Sequence, residues 1–255
     1  MINYFLLGYQ GFNYFKEKFD KKKYPKTILR IIDNGNQKIT GHQLYETKKN
    51  IGCAGGWNLI CYIAFQYLGL EKIIIGQEDT IVEENEMNEM LEKCNENLIS
   101  TLMKPHFEFC SFALHKKTFE KLGMFDENCI DAYCEDADYK QRCYLNGIKI
   151  ESLNKSQDRN FGIARKINKR IYDTIAVNRI YIKEKWGKSI NKNQIAQLDE
   201  QPPYEFRYPF NKNNLDSNFI PITKRMRMIH NLKDNKTPSQ EEILKFLINP
   251  EGIKK

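Results

Sequence analysis

Apolar and polar positions follow two different periods along the first half of the chain. Tyr4 to Leu7 and Ile28 to Ile32 are short apolar runs bounded by turn residues, the pattern of strands buried on both faces. Between them Phe12, Phe15 and Phe19 recur at helical spacing, so the order is strand, helix, strand. Lys72 to Ile75 predicts a third strand, preceded by an apolar helix over Trp57 to Leu68 that Gly69 ends. EENEMNEMLEK predicts a helix with Glu83, Glu84, Glu86 and Glu89 on its wet face, and FEFCSFAL, Phe107 to Leu114, predicts a strand between His106 and His115. This alternation implies an α/β fold, with a Rossmann-like, mostly parallel central sheet flanked by helices.

After about Ile190 the periodicity fades into a polar, proline-containing stretch, and TPSQEEILKFLI near the end carries a helix-start signature in Thr237, Pro238 and Gln240. The expected organisation is one domain over 1–190, with halves of about 1–100 and 101–190. A small C-terminal helical extension, 191–255, follows it.

Composition narrows the class. At 255 residues, 41% hydrophobic and 12% aromatic, the chain can bury a full core. Its apolar runs fall far short of the roughly 20 residues of a membrane span, and MINYFLLGYQGFNYF, without a basic leader or cleavage site, does not read as a signal peptide. Seven cysteines between Cys53 and Cys143 include no C-x-x-C pair, which favours free thiols in a reducing compartment and a cytoplasmic location. The net charge of +7 invites an anionic partner, yet no nucleic-acid motif accompanies it, so no nucleic-acid partner is expected. Lys224 to Met228, KRMRM, suits either peripheral contact with an anionic membrane or an exposed helix edge.

In an open α/β sheet ligands bind beyond the carboxyl ends of the strands, which singles out Gly8-Tyr9, Asp33-Asn34-Gly35 and Gln77-Glu78-Asp79. Asp33 is either a turn-forming Asx residue or a carboxylate that accepts from a base N–H or ribose hydroxyl. Glu78 and Asp79 are either solvated acids or hard oxygen donors for Mg²⁺ or Mn²⁺, which bind through one or two carboxylates with water and phosphate completing the shell. NIGCAGGWN, Asn50 to Asn58, brings three glycines to a helix start, fit for an anion or for tight helix–sheet packing. Trp57 suits either a stacked base or the core. Arg159 and Arg165 suit either a diphosphate or a solvated loop. YCEDADYKQR places Glu135, Asp136 and Asp138 in the first turn of a helix that Gly147 ends, and Arg142 lies one turn beyond Asp138.

Taken in order, these segments resemble the glycosyltransferase family 2 group of GT-A fold enzymes, above all its rhamnosyltransferase-like members. IIDNGNQ resembles the nucleotide-binding Asp turn, NIGCAGGWN the Asn-x-Gly-x-x-Gly-Gly-x-Asn segment, and IIIGQEDTIV the place of the D-x-D-like metal element. The stretch from FEFCSFALHKKTFEKLGMFDEN to EDADYKQRCYLNGIKI resembles the acceptor-side block, and NRIYIKEKWG a trailing helix. The resemblance implies inverting transfer of a sugar from a nucleotide-diphosphate donor to the hydroxyl of a glycan, a lipid-linked saccharide or another acceptor. Residues up to about 100 would bind the nucleotide and 101–190 the acceptor. Gly8, Tyr9, Asp33, Asn34, Asn50, Gly55, Gly56, Asn58 and Glu78 would contact the nucleotide-sugar, and Asp79 would bind Mn²⁺ or Mg²⁺. Asp136 would be the general base, Glu135 would orient the acceptor, and Asp138 would be a structural partner.

Two departures accompany the likeness. Gln77-Glu78-Asp79 stands in place of Asp-x-Asp, and NKSQDRNFGIARK lacks the histidine that completes the metal site in many members, leaving Asp158 or water to fill it. They leave room for an alternative, a catalytically degenerate member that binds nucleotide or glycan without turnover.

Overall fold

The computed structural model describes residues 1–9, 24–34, 43–47, 50–105, 107–129 and 131–156, together with Asn160, Gly162, Lys166, Ile175, Asn178, Arg179, Ile182 and Trp186. The expected helix over Phe12 to Phe19, Gly35, His106, Asp158, Arg159, Arg165, Lys224 to Met228 and the extension 191–255 lie outside the described residues.

The apolar runs form the strands expected of them. Strands β1 (Ile2–Gly8), β2 (Thr27–Asp33), β3 (Gln43–Glu46) and β4 (Lys72–Gln77) are joined by β5 (Leu98–Met103), β6 (Ser111–His115) and β7 (Lys149–Lys155). They make one seven-stranded sheet in the order β3-β2-β1-β4-β6-β5-β7. Pairings β1–β2, β2–β3, β1–β4 and β5–β7 are parallel; only β6 runs against its neighbours β4 and β5. The result is a mostly parallel, Rossmann-like sheet.

Because successive side chains point to opposite faces, β1 divides its residues between two cores. Phe5 and Leu7 join Ile32, Ile73, Ile75, Phe112 and Leu114 on one face. Helices α1 (Gly52–Cys61), α3 (Lys116–Leu122) and α4 (Glu135–Leu145) cover that face through Trp57, Phe119 and Tyr139. Tyr4 and Leu6 join Ile31, Ile74 and Ala113 on the other, beneath Met87 and Met90 of α2 (Glu84–Lys93).

Three local expectations are corrected. The helix expected over Trp57 to Leu68 begins at Gly52 and passes into a π-helical turn, Tyr62–Tyr67, before Gly69 with its φ of +65°. FEFCSFAL opens as a 3₁₀ turn, Glu108–Cys110, and becomes a strand only at Ser111. The acids of α2 are not all a wet face. Glu86 is buried and forms a capping box with Glu83 and an ion pair with Lys155, and Glu84 accepts from the Lys26 amide and the Thr27 hydroxyl. Glu89 does stay outside, paired with Lys93.

Candidate active site

The chain leaves β1 for β2 and β3 on one side and then returns to place β4 on the other, so the order reverses between β1 and β4. Such a switch point opens a crevice at the carboxyl ends of those strands. The register puts Gly8 beside Asp33, and Leu7 beside Gln77, at this edge.

Glu78 and Asp79 follow directly, 5% and 6% exposed. The Glu78 amide donates to the Leu7 carbonyl at 3.0 Å, and its Oε1 accepts from the Tyr9 amide at 2.6 Å, so the Glu78 carboxylate ties the ends of β1 and β4 together. Asp33 is fully buried, and its carbonyl accepts from the Thr47 amide and hydroxyl.

The antiparallel strand brings further groups to the same edge. Ser111 at the start of β6 sits opposite Gly76 near the end of β4, so Cys110 arrives where Glu78 and Asp79 depart. The charges of both Asp79 and Asp136 push the Cys110 thiol upward, after burial itself. The metal candidate and the base candidate therefore both act electrostatically on one side chain, although they come from different segments.

Helix α4 is anchored at this edge by unusual backbone. Asp131, Tyr133 and Cys134 have φ of +60°, +74° and +77°, conformations that cost non-glycine residues about 1 kcal/mol or more each and persist only when the surroundings impose them. Here the surroundings do so. The Cys53 amide donates to the Asp131 carbonyl at 2.6 Å, and the Asn178 carboxamide donates to the carbonyls of Ala132 and Tyr133 at 3.1 and 3.0 Å. Gly52, at φ +79°, passes so near the Asp131 backbone that a side chain there would be crowded.

The three acids of the helix start have three environments. Asp138 is completely buried, with its Oδ2 bound by Arg142 at 2.7 and 3.0 Å and its Oδ1 accepting from Trp186 Nε1 at 3.0 Å. Arg142 also donates to the Leu122 and Met124 carbonyls and lies over the Tyr139 ring. The expected pair is present, but the face carrying it is interior. Glu135 is 3% exposed, its carboxyl lies beside the Cys53 thiol, and its Oε2 has no hydrogen-bond partner among the described residues. Burial, with the neighbouring Asp136 charge, pushes the Glu135 carboxyl up to about 8. Asp136 is half-buried and accepts from the Ala137 amide at 2.8 Å. Of the three it is the one partly exposed.

Several residues expected to contact the nucleotide-sugar build the frame instead. Asn34 Nδ2 donates to Asn50 Oδ1 and the Gly52 carbonyl, and its Oδ1 accepts from Thr47 and the Ile51 amide, which uses its full hydrogen-bonding capacity. Asn50 Oδ1 also accepts from the Gly52 amide. Asn58 is buried and binds both backbone groups of Phe125 and the Glu127 carboxylate. The enclosed Glu127 carboxyl is pushed up to about 7, chiefly by burial. A Cβ on Gly56 would strike Leu7 of β1, and one on Gly55 would press on Ile51, so both glycines serve packing. Trp57 is core, against Phe109, Phe112 and Phe125, and His115 caps α3 and meets Glu71.

Sequence reasoning missed Cys53, Cys110, Lys140 and Asn160. Lys140 pairs with Glu108 at 2.6 Å and docks the 3₁₀ turn on α4; an acid and a base 32 positions apart carry no local signal. Asn160 lies within the stretch searched for a histidine, and its carboxamide reaches Asp79 and Thr80.

Among the described residues no three His, Cys, Asp or Glu side chains converge to hold a metal. Glu78 Oε1 is engaged by the Tyr9 amide and Asp79 Oδ1 by the Asn160 carboxamide, so a cation bound at this turn would take most of its shell from water or a ligand. Among the described residues no helix is long and apolar enough to cross a membrane. No protein-family description matches the chain, and no curated protein is similar to it.

Proposed function

We propose that the chain is an inverting glycosyltransferase of the GT-A fold, moving a sugar from a nucleotide-diphosphate donor to an acceptor hydroxyl. The carrying observation is that Asp79, which follows β4, and Asp136, in the first turn of α4, both bear electrostatically on Cys110. Base and leaving group must flank the anomeric carbon, so two carboxylates delivered by separate elements suit a single displacement. The sheet order, with its β1/β4 crevice and one reversed strand, agrees with such a fold.

In this reading Asp136 accepts the proton of the acceptor hydroxyl as its oxygen bonds to the anomeric carbon and the bond from that carbon to the diphosphate oxygen breaks. General-base assistance of this kind contributes roughly 10² to 10⁴ in rate. Asp33 lies at the edge of the nucleotide crevice, and Glu78 holds the β1 and β4 ends that form it. Asp79 would hold Mn²⁺ or Mg²⁺, which when bound supplies Lewis acidity toward the departing diphosphate. Glu135, buried behind Asp136, keeps bulk water from the base and helps place the acceptor.

Asp136→Asn should abolish sugar transfer and donor hydrolysis, lowering the rate by about 10² or more, while UDP, GDP or dTDP binding persists by calorimetry. Unchanged turnover would remove Asp136 from the role. That no three-ligand metal group is found among the described residues leaves a second reading, a binding module without turnover. That protein would bind a nucleoside diphosphate and release none from any nucleotide-sugar.

A further inference from the structure

In sequence Asp136 lies between two points at which residues from beyond β7 hold the chain. Asn178, Ile182 and Trp186 are helical and buried, and their spacing puts them on one helical face. Ahead of Asp136, the Asn178 carboxamide nitrogen donates to the carbonyls of Ala132 and Tyr133 at 3.1 and 3.0 Å. Behind it, Trp186 Nε1 donates to Asp138 Oδ1 at 3.0 Å. Ile182 and Trp186 pack with Cys129 and Cys134 in a small apolar cluster apart from the two main cores.

The carbonyls that Asn178 binds belong to the stretch in which Asp131, Tyr133 and Cys134 have left-handed backbone. These residues lie outside every helix and strand, so a side-chain donor that serves two of their carbonyls selects this path of the chain over a relaxed one. The far end of the turn is fixed separately by the Cys53 amide of α1, bound to the Asp131 carbonyl. A change of φ at Tyr133 or Cys134, two or three residues before Asp136, re-aims the first turn of α4. We propose that Asn178 is a positioning residue that sets the direction of the Asp136 carboxylate by holding this left-handed turn, a role that rests on the glycosyl-transfer reading of the site. A strut needed for stability alone is already supplied by Ile182 and by the Trp186 bond to Asp138; the two bonds from Asn178 are the ones that act on the turn itself.

Two variants separate aim from stability. Asn178→Ala removes both bonds to the turn, and Met87→Ala opens the core on the other face of the sheet, beneath α2 and away from α4. Donor hydrolysis with UDP-, GDP- and dTDP-sugars gives kcat and KM well below the unfolding midpoints, beside nucleoside-diphosphate binding by calorimetry and thermal unfolding. Asn178→Ala should lower kcat about 10- to 100-fold with the nucleoside-diphosphate Kd unchanged, whereas Met87→Ala should lower the unfolding midpoint and keep kcat. If Asn178→Ala unfolds, Asn178→Leu, which fills the space without a donor, is read the same way. An unchanged kcat in the Asn178 variant, or an equal fall in Met87→Ala, overturns the positioning role alone. Absence of turnover in the unaltered chain, or full turnover in Asp136→Asn, overturns the functional reading and this role with it.

Discussion

The candidate site has two acidic regions built on opposite plans. At the switch point Glu78 and Asp79 sit where the parallel strands β1 and β4 end, their positions set by sheet register and by donors that include Tyr9 and Asn160. At the start of α4, Asp138 and Glu135 are interior, below three residues of left-handed backbone, and Asp138 is enclosed by Arg142 and Trp186. The first region is an edge formed by strand ends. The second is a buried polar network that supports one more accessible acid, Asp136. In the proposed function the strand-edge carboxylates serve the ligand, whereas those of α4 are coupled to stability.

The largest test of that contrast removes Asp138. Arg142, 2% exposed, would lose its bidentate carboxylate partner in the interior and Trp186 Nε1 would lose its acceptor. Asp138→Ala should therefore cost about 3–5 kcal/mol, measured by denaturant unfolding. Asp79→Asn, at the strand edge, should cost no more than about 1 kcal/mol while removing Mn²⁺-dependent nucleotide binding. Equal losses of stability would break the distinction between the regions.

Glu135 provides the next test, through pH. Its folded carboxyl is raised to about 8 from an ordinary 4.5, so between these values the folded state keeps a proton that the unfolded state has released. The sign follows: the contribution is fully present below about pH 4.5, falls as pH rises, and is lost by about pH 8. Glu135→Gln is neutral throughout and should lack this fall. Unfolding free energies measured from pH 4.5 to 9 should differ in slope by an amount on the order of a few kcal/mol over the window. Parallel curves would mean that Glu135 is ionised in the fold.

The chain's own pattern made β1, β2, β4 and the core of β6 legible, because strands buried on both faces read as continuous apolar runs; β3, β5 and β7 were missed, and the half-exposed Lys149–Lys155 carries no such run. It also located Glu78, Asp79 and Asp33, since parallel strands put their carboxyl ends on one edge. The interior of α4 was not legible. Acids score as wet in any hydropathy reading, and what cancels their burial comes from Trp186, 48 positions away, and from the Leu122 and Met124 carbonyls bound by Arg142. Glu86 was misread for the same reason, its partner Lys155 being distant. Asn160 was illegible because an amide carries no motif and its bonds to Asp79 and Thr80 span 81 and 80 positions.

The smallest effect concerns how the strand edge is kept in place. Gly56 lets α1 lie directly on Leu7, one residue before the end of β1, whereas a Cβ on Gly55 would lie 3.3 Å from the Ile51 side chain. Alanine relieves glycine's unfavourable helix entropy by roughly 0.5–1 kcal/mol at either position. At Gly55 that gain offsets a small displacement of Ile51, so Gly55→Ala should be nearly neutral. At Gly56 the clash with Leu7 should exceed it, and Gly56→Ala should cost about 1–3 kcal/mol by moving α1 away from β1. Because α1 also carries the Cys53 amide bound to Asp131, that movement reaches the second region as well. Denaturation of the two variants side by side would show it: equal stability would mean that the sheet edge does not depend on this contact, and a loss confined to Gly56→Ala would tie the two acidic regions through one helix.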